Sequence, residues 1–234
     1  MIREHFQYRT TITTILAERD EYVGIAKEAM IRARQEIERC IASDPFFATT
    51  LEPYSPASTS TVIRRMSEAA LCADVGPMAS VAGSIAWAGV EAMHGAGAVF
   101  GVIDNGGDIA LISDRAVRIG LYAGASSLSG NLAFTIPQKK GVYGICTSSS
   151  SVGPSISFGV ADSVTVFSSN VALADAWATS LCNRVTGPDD PAFALLEGSG
   201  VDGVFVILKE QAFWWGEIPE VSNARVDEQL ITKG

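Results

Sequence analysis

Ala98-Val-Phe-Gly-Val-Ile103, Asp104-Asn105-Gly106-Gly107-Asp108, Ile109-Ala-Leu-Ile112: two short apolar runs joined by a polar, glycine-rich pentapeptide. An Asn-Gly pair between two such runs is a strong hairpin signal, because glycine reaches the positive φ that tight turns need. The stretch therefore predicts an antiparallel strand pair. More short apolar runs follow at Val117–Tyr122, Leu132–Ile136, Val142–Cys146 and Val164–Phe167, separated by short turns as in a meander. Gly203–Leu208 is another, and Ala212–Trp215 is placed to pair with it. Near the amino end, Phe6–Leu16 alternates Thr and Ile like a further strand.

The helices read from a different period. Between Glu18 and Ser43, the residues Val23, Ala26, Met30, Ala33, Ile37 and Ile41 recur at three-four spacing, predicting one long amphipathic helix that Asp44-Pro45 stops. Ser58–Cys72 predicts a second, with Ser60 as cap and Ile63, Met66 and Ala70 inward. Gly76–Met93 predicts a third, with Pro77 suited to its first turn and small residues at Ala79, Ala82, Gly83, Ala86 and Gly89 allowing close approach. Asn170 caps a fourth through Asn183, and Pro191–Leu196 is a short one. The tail beyond Pro219 is polar and expected to be loosely held. No linker or repeat divides the 234 residues, so residues 1–234 are expected to form one domain. Its class is α+β, an antiparallel sheet with packed helices, because helices and strands are segregated along the chain.

Composition excludes several function classes. A net charge of -9 argues against nucleic acid or a membrane surface as partner, since both reward clustered Lys and Arg. No apolar run reaches the roughly 18 residues of a membrane helix, and Met1–Ala17 lacks the apolar centre of a signal peptide. Cys40, Cys72, Cys146 and Cys182 form no CxxC pair, which suits reduced thiols and a cytoplasmic protein. His5 and His94 are isolated, so no zinc spacing recurs. There is neither a GxxxxGK[ST] loop nor a dinucleotide glycine fingerprint.

Three places can carry chemistry. Asp175 and Thr179 stand at i and i+4, so both side chains leave one helix face. A carboxylate and a neutral oxygen suit Mg²⁺ or Ca²⁺ with phosphate or water completing the shell, and they equally suit a capped or solvated helix end. Gly106-Gly107-Asp108 suits either close approach to a ligand or the hairpin turn alone. Cys146-Thr147-Ser148, opening a run of serines, can present amides and hydroxyls to an anion. Beside such amides Cys146 is either a nucleophile of lowered pKa or an inert small apolar residue.

Taken in order, Val75-Gly76-Pro77-Met78-Ala79, Asp104-Asn105-Gly106-Gly107-Asp108, Cys146-Thr147-Ser148-Ser149 and Ala174-Asp175-Ala176-Trp177-Ala178-Thr179 resemble a prokaryotic ApbE-like family, distantly similar to the FAD:protein FMN transferase ApbE. The closer resemblance spans roughly Arg3 to Asn183. It implies a T-fold-related α+β domain and a Mg²⁺-dependent activity at the FAD pyrophosphate, either FMN transfer to a protein Ser or Thr or FAD hydrolysis. Carried over, Asp175 and Thr179 match the metal ligands, and Ala79 matches the position whose carbonyl joins them. Gly106, Gly107 and Asp108 match the turn lining the flavin site, and Thr147 and Ser148 match the loop beside it. Asp175 is also the expected proton acceptor from an attacking hydroxyl.

The chain departs from the ApbE pattern at Pro154–Asp162, which has no His-x-x-Asp-Pro-x-Thr-Gly segment, and near Ser80, where ApbE has a lysine. Two alternatives follow: a non-catalytic protein that binds a flavin or another small anion, and a Cys146-based sulfur-handling protein connected with sulfide assimilation. A small-molecule ligand, a protein acceptor and a homodimer are the expected partners. Phe205, Trp214 and Trp215 suit either a core or a subunit contact.

Overall fold

The computed structural model describes residues 1–124, 126–149, 161–227 and 232. Two strands open the chain, β1 (Ile2–Tyr8) and β2 (Thr11–Ala17), paired antiparallel with Tyr8 opposite Thr11. The expected single strand over Phe6–Leu16 is thus a hairpin. Arg9 turns it with φ 56°, and alternating Thr and Ile cannot reveal a turn that lacks Gly, Asn or Asp. Helix α1 (Asp20–Ser43) follows as read, then the short α2 (Phe46–Thr49) and α3 (Thr61–Ala73). Ser60 caps α3 by accepting from the Ile63 amide. Pro77–Ser80 forms a 3₁₀ turn rather than the start of the next helix, and α4 (Val81–Gly95) begins after it.

The strands β3 (Gly101–Asn105) and β4 (Asp108–Ser113) form the predicted hairpin. Its two turn residues are Gly106 and Gly107, at φ 70° and 103°, while Asn105 and Asp108 are the flanking pair. Positive φ at both central residues is the hairpin-turn geometry that any side chain would strain. The next strands, β5 (Val117–Leu121) and β6 (Leu132–Ile136), leave the sheet, which resumes with β7 (Lys139–Ser148) and β8 (Ser163–Ser168). Helix α5 (Val171–Arg184) comes next, capped by Asn170 through the Leu173 amide. Pro191–Leu196 is a 3₁₀ turn, and β9 (Gly203–Leu208), β10 (Gln211–Gly216) and β11 (Glu220–Asn223) complete the elements among the described residues.

Eight strands make one sheet in the order β1-β2-β3-β4-β7-β8-β9-β10, with every neighbour antiparallel. The other three form a small sheet, β11-β6-β5. The consecutive meander is therefore corrected: β4 pairs with β7 and not with β5. The first part of the tail beyond Pro219 is paired rather than loose. β11 pairs with β6, and the amides of Ala224 and Val226 donate to Asn131 and Gly130 at 2.9 and 2.8 Å. Main-chain pairing holds this segment, and Val221 packs against the core between the sheets.

The period of two along each strand sorts side chains into two cores. Ile103, Ala110, Ile112, Cys146, Val164, Val166 and Val204 face α1, α3, α4 and α5. Val102, Ile109, Leu111, Ile145, Phe167 and Phe205 face the small sheet, where the Phe134 ring meets Phe167 and Phe205 edge-on at 5.0 and 5.3 Å. The large sheet is covered on both faces. Phe205 belongs to the core at 3% exposure, whereas Trp214 on the edge strand β10 is 61% exposed.

Candidate functional site

The hairpin turn at Gly106-Gly107 divides two environments. On the helix face lies Asp175, brought there by α5 and 6% exposed. Its Oδ2 accepts from the Gly83 amide at 2.8 Å. Gly83 is the third residue of α4, one of the first-turn positions whose amides have no partner within the helix. Asp175 thus caps α4 from a neighbouring helix, and the partial positive charge at that terminus favours its carboxylate. Gly83 must be small: a Cβ there would stand 3.0 Å from Asp175 Cβ and 3.2 Å from the Val171 carbonyl oxygen. Asn105 points to the same face and donates to the Ala82 carbonyl at 2.9 Å, tying the hairpin to α4.

Asp108 faces Asp175. Burial holds the Asp108 carboxyl well above the usual carboxylate range, and the neighbouring charges of Asp175 and Asp104 push it further. Burial raises Asp175 to about 7, against the lowering effect of the Gly83 amide and of a hydrogen bond from Asp108. The pair carries a proton near neutral pH, with Asp108 as its holder, because two buried carboxylates this close do not both ionise without a cation.

Cys146 lies against the pair, fully buried, with its Sγ 3.6 Å from the Val171 carbonyl oxygen. Burial, then the charges of Asp108 and Asp175, push its thiol well above the ordinary cysteine value. The expectation of a lowered thiol pKa is corrected here. Register places Cys146 on the apolar helix face beside acids, not among the amides of the following loop.

Thr179, one turn beyond Asp175, is half-buried, and the 3₁₀ turn carrying half-buried Ala79 packs against α5. Among the described residues no three His, Cys, Asp or Glu side chains cluster as a metal site. A cation here would take a mixed set: the Asp175 carboxylate, the Thr179 hydroxyl and the Ala79 carbonyl. Such hard, oxygen-only and incomplete coordination fits Mg²⁺ with phosphate or water, and does not fit zinc. A cation would also remove the repulsion that otherwise keeps Asp108 protonated.

On the opposite face a cavity of about 450 Å³ lies between the two sheets. Its floor is Thr14, Asp104, Ile109, Ile145, Thr147 and Thr165 of the large sheet, and its roof includes Ile119, Phe134 and Val226. Gly106 and Gly107 line its edge. Of the residues expected beside a ligand, Gly106, Gly107 and Thr147 reach the cavity. Asp108 and Ser148 do not line it, because each is one residue out of phase on its strand. Residues 150–160, which contain the rest of the serine loop and most of Pro154–Asp162, lie outside the described residues. Inspection of the sequence missed Thr14, Asp104 and Thr232, which meet in the cavity. Asp104 was visible as the inward partner of the turn, but Thr14 and Thr232 gave no local signal.

The chain matches the family model described as AbpE bacteria over residues 3–221, further toward the carboxyl end than the resemblance read from motifs. Its relatives include a UPF0280 protein of Methanosphaerula palustris, 60% identical over 100% of this chain and 99% of that one. Another, from Methanoculleus marisnigri, is 58% identical over 100% of this chain and 96% of its own length. Among solved structures, the Pseudomonas stutzeri flavinyl transferase ApbE in its apo form aligns with TM-score 0.53 at 15% identity, covering 100% of this chain and 98% of that one. The Vibrio cholerae flavin transferase ApbE aligns with TM-score 0.57 at 13% identity, over 95% of this chain and 96% of that one. At such identities the structural likeness establishes the shared fold. With the family match covering most of its length and relatives this similar, the chain belongs to the AbpE bacteria family and has the ApbE-type α+β fold.

Proposed function

We propose that this protein binds FAD across the Gly106-Gly107 turn and acts at its pyrophosphate, as an FMN transferase to a protein hydroxyl or as an FAD hydrolase. The carrying observation is the arrangement at that turn: a partly apolar cavity on one side and the Asp108–Asp175 pair directly behind it. The cavity suits the flavin end of the dinucleotide, with Ile109, Ile145 and Phe134 as its apolar walls. Phosphates then lie over the glycines, where the absence of side chains lets backbone approach them.

Asp175, Thr179 and the Ala79 carbonyl would hold Mg²⁺, which supplies charge neutralisation at the scissile phosphoryl group. The protein's own contribution is positional. Asp175 is held by the Gly83 amide and carried by α5, and a side chain at position 83 would press on it. Asp175, which a bound cation would keep ionised, is also placed to accept a proton from an acceptor hydroxyl or water. The test is incubation of purified protein with FAD and Mg²⁺, following FMN and AMP by chromatography and flavin fluorescence on any added acceptor. Release of AMP that disappears in Asp175→Asn is expected. Unchanged FAD at all Mg²⁺ concentrations, with no flavin attached to protein, would defeat the proposal.

The absence of a histidine from Pro154–Asp162 favours a second reading, flavin binding without cleavage. FAD that raises the melting temperature yet stays intact would select it. The sulfur-handling reading loses its support with the raised Cys146 pKa.

A further inference from the structure

The cavity floor contains a chain of hydrogen bonds that neither metal nor phosphate chemistry uses. Thr232, near the carboxyl end, is buried in it at 6% exposure. Its hydroxyl donates to Asp104 Oδ2 at 2.6 Å and stands 2.8 Å from the hydroxyl of Thr14. Thr14, itself 2% exposed, stands 3.0 Å from His5 Nδ1. The other Asp104 oxygen accepts from the Gly107 amide at 2.9 Å.

The direction of each bond follows from the carboxylate. Thr232 donates to Asp104, so its single proton is committed there. The Thr232 oxygen must then accept from Thr14, and Thr14 in turn accepts from the Nδ1–H of His5. Without Thr232, Asp104 and Thr14 would present one strong acceptor and one donor, a few ångströms apart. A single hydroxyl, which both donates and accepts, satisfies both. A carbonyl or an ether oxygen lacks the donor that Asp104 requires.

We propose that Asp104 and Thr14 form a hydroxyl-binding subsite for a polyol portion of the ligand, and that Thr232 fills it as a tethered stand-in in the ligand-free protein. The ligand class is a sugar or sugar alcohol joined to an apolar ring system, since Ile109, Ile145 and Phe134 wall the same cavity. The subsite lies on the cavity side of the Gly106-Gly107 turn, so occupancy by ligand and docking of the Thr232 side chain exclude one another. The proposal rests on the flavin reading only for its choice of aromatic probes.

The test uses the full-length chain. Riboflavin, which carries a ribityl chain, and lumiflavin, which carries a methyl group there, are titrated into wild type, Thr14→Val, Asp104→Asn and Thr232→Val. Loss of a hydroxyl bond to a charged partner is worth at least about 1.4 kcal/mol, or about tenfold in affinity. Thr14→Val and Asp104→Asn are expected to weaken riboflavin by about tenfold and leave lumiflavin within about twofold. Thr232→Val, which removes the competitor, is expected to tighten riboflavin and not lumiflavin. Separately, the Thr232 methyl resonance is followed in threonine-labelled wild type as ribitol is added, and it should move toward its position in Asp104→Asn. If neither flavin binds but ribitol moves that resonance, the flavin reading fails and the subsite stands. If ribitol leaves it unmoved, or riboflavin and lumiflavin respond alike to all three substitutions, the subsite is overturned.

Discussion

Replacing Asp108 by asparagine isolates the role of the buried acid pair. In wild type Asp108 stays protonated well above the ordinary carboxylate range, and Asp175 titrates at about 7. Both pKa values are raised relative to the unfolded chain, where aspartate titrates near 3.9. The folded state therefore binds more protons than the unfolded one, and stability falls as pH rises. Each excess proton contributes a slope of about 1.4 kcal/mol per pH unit. From roughly pH 4 to about 7 both carboxyls contribute. Above that, only Asp108 does, and the loss continues until Asp108 itself ionises. In Asp108→Asn the side-chain amide still offers Asp175 a hydrogen-bond donor but binds no titratable proton. The variant should lose stability only up to pH ~7 and then level off. Above pH 7.5 the wild type should keep losing stability relative to the variant, by up to about 1.4 kcal/mol per pH unit for as long as Asp108 stays protonated. The assay is urea unfolding at half-unit pH intervals in EDTA. Parallel wild-type and variant curves above pH 7.5 would refute the paired-carboxyl argument. Adding Mg²⁺ should flatten the wild-type curve, because a cation replaces the proton.

Gly83→Ala, whose Cβ would press on Asp175 and Val171 at 3.0–3.2 Å, should cost about 1–3 kcal/mol and remove most Mg²⁺-dependent stabilisation, both read by thermal melts with and without the ion. Alkylation by iodoacetamide, followed by peptide mass spectrometry, should reach exposed Cys72 first and buried Cys146 only on unfolding; rapid labelling of Cys146 in the native state would revive a thiol role. Phe134→Ala should lower unfolding free energy by about 3–5 kcal/mol, because the ring fills the space between the sheets beside Phe167 and Phe205. Asn170→Ala should cost about 1 kcal/mol with no change in the pH slope, since the cap lies outside the acid pair.

The placement of several candidate residues follows from residue order. The i and i+4 spacing of Asp175 and Thr179 put them on one face of α5, and the paired glycines marked the turn of β3 and β4. What misled was phase. Gly107 and Asp108 are adjacent in the motif, and so are Thr147 and Ser148, yet a strand sends neighbours to opposite faces. Grouping each pair around one ligand ignored that alternation. The same alternation decides between the two readings of Cys146: its neighbours in sequence are polar, while its neighbours in space are Val171, Asp108 and Asp175.

The sequence alone determined the α+β class, the presence of α1, α3 and α5 with the caps Ser60 and Asn170, and the glycine hairpin. Each depends on local periodicity, capping or φ, which neighbours in the chain decide. Only the tertiary structure decided that β5 and β6 leave the main sheet for β11. It alone paired Asp108 with Asp175 and brought Thr14, Asp104 and Thr232 together. Those contacts join residues 67 to 218 positions apart, so no local pattern encodes them; they arise from strand register together with the packing of α5 and Thr232 against the large sheet.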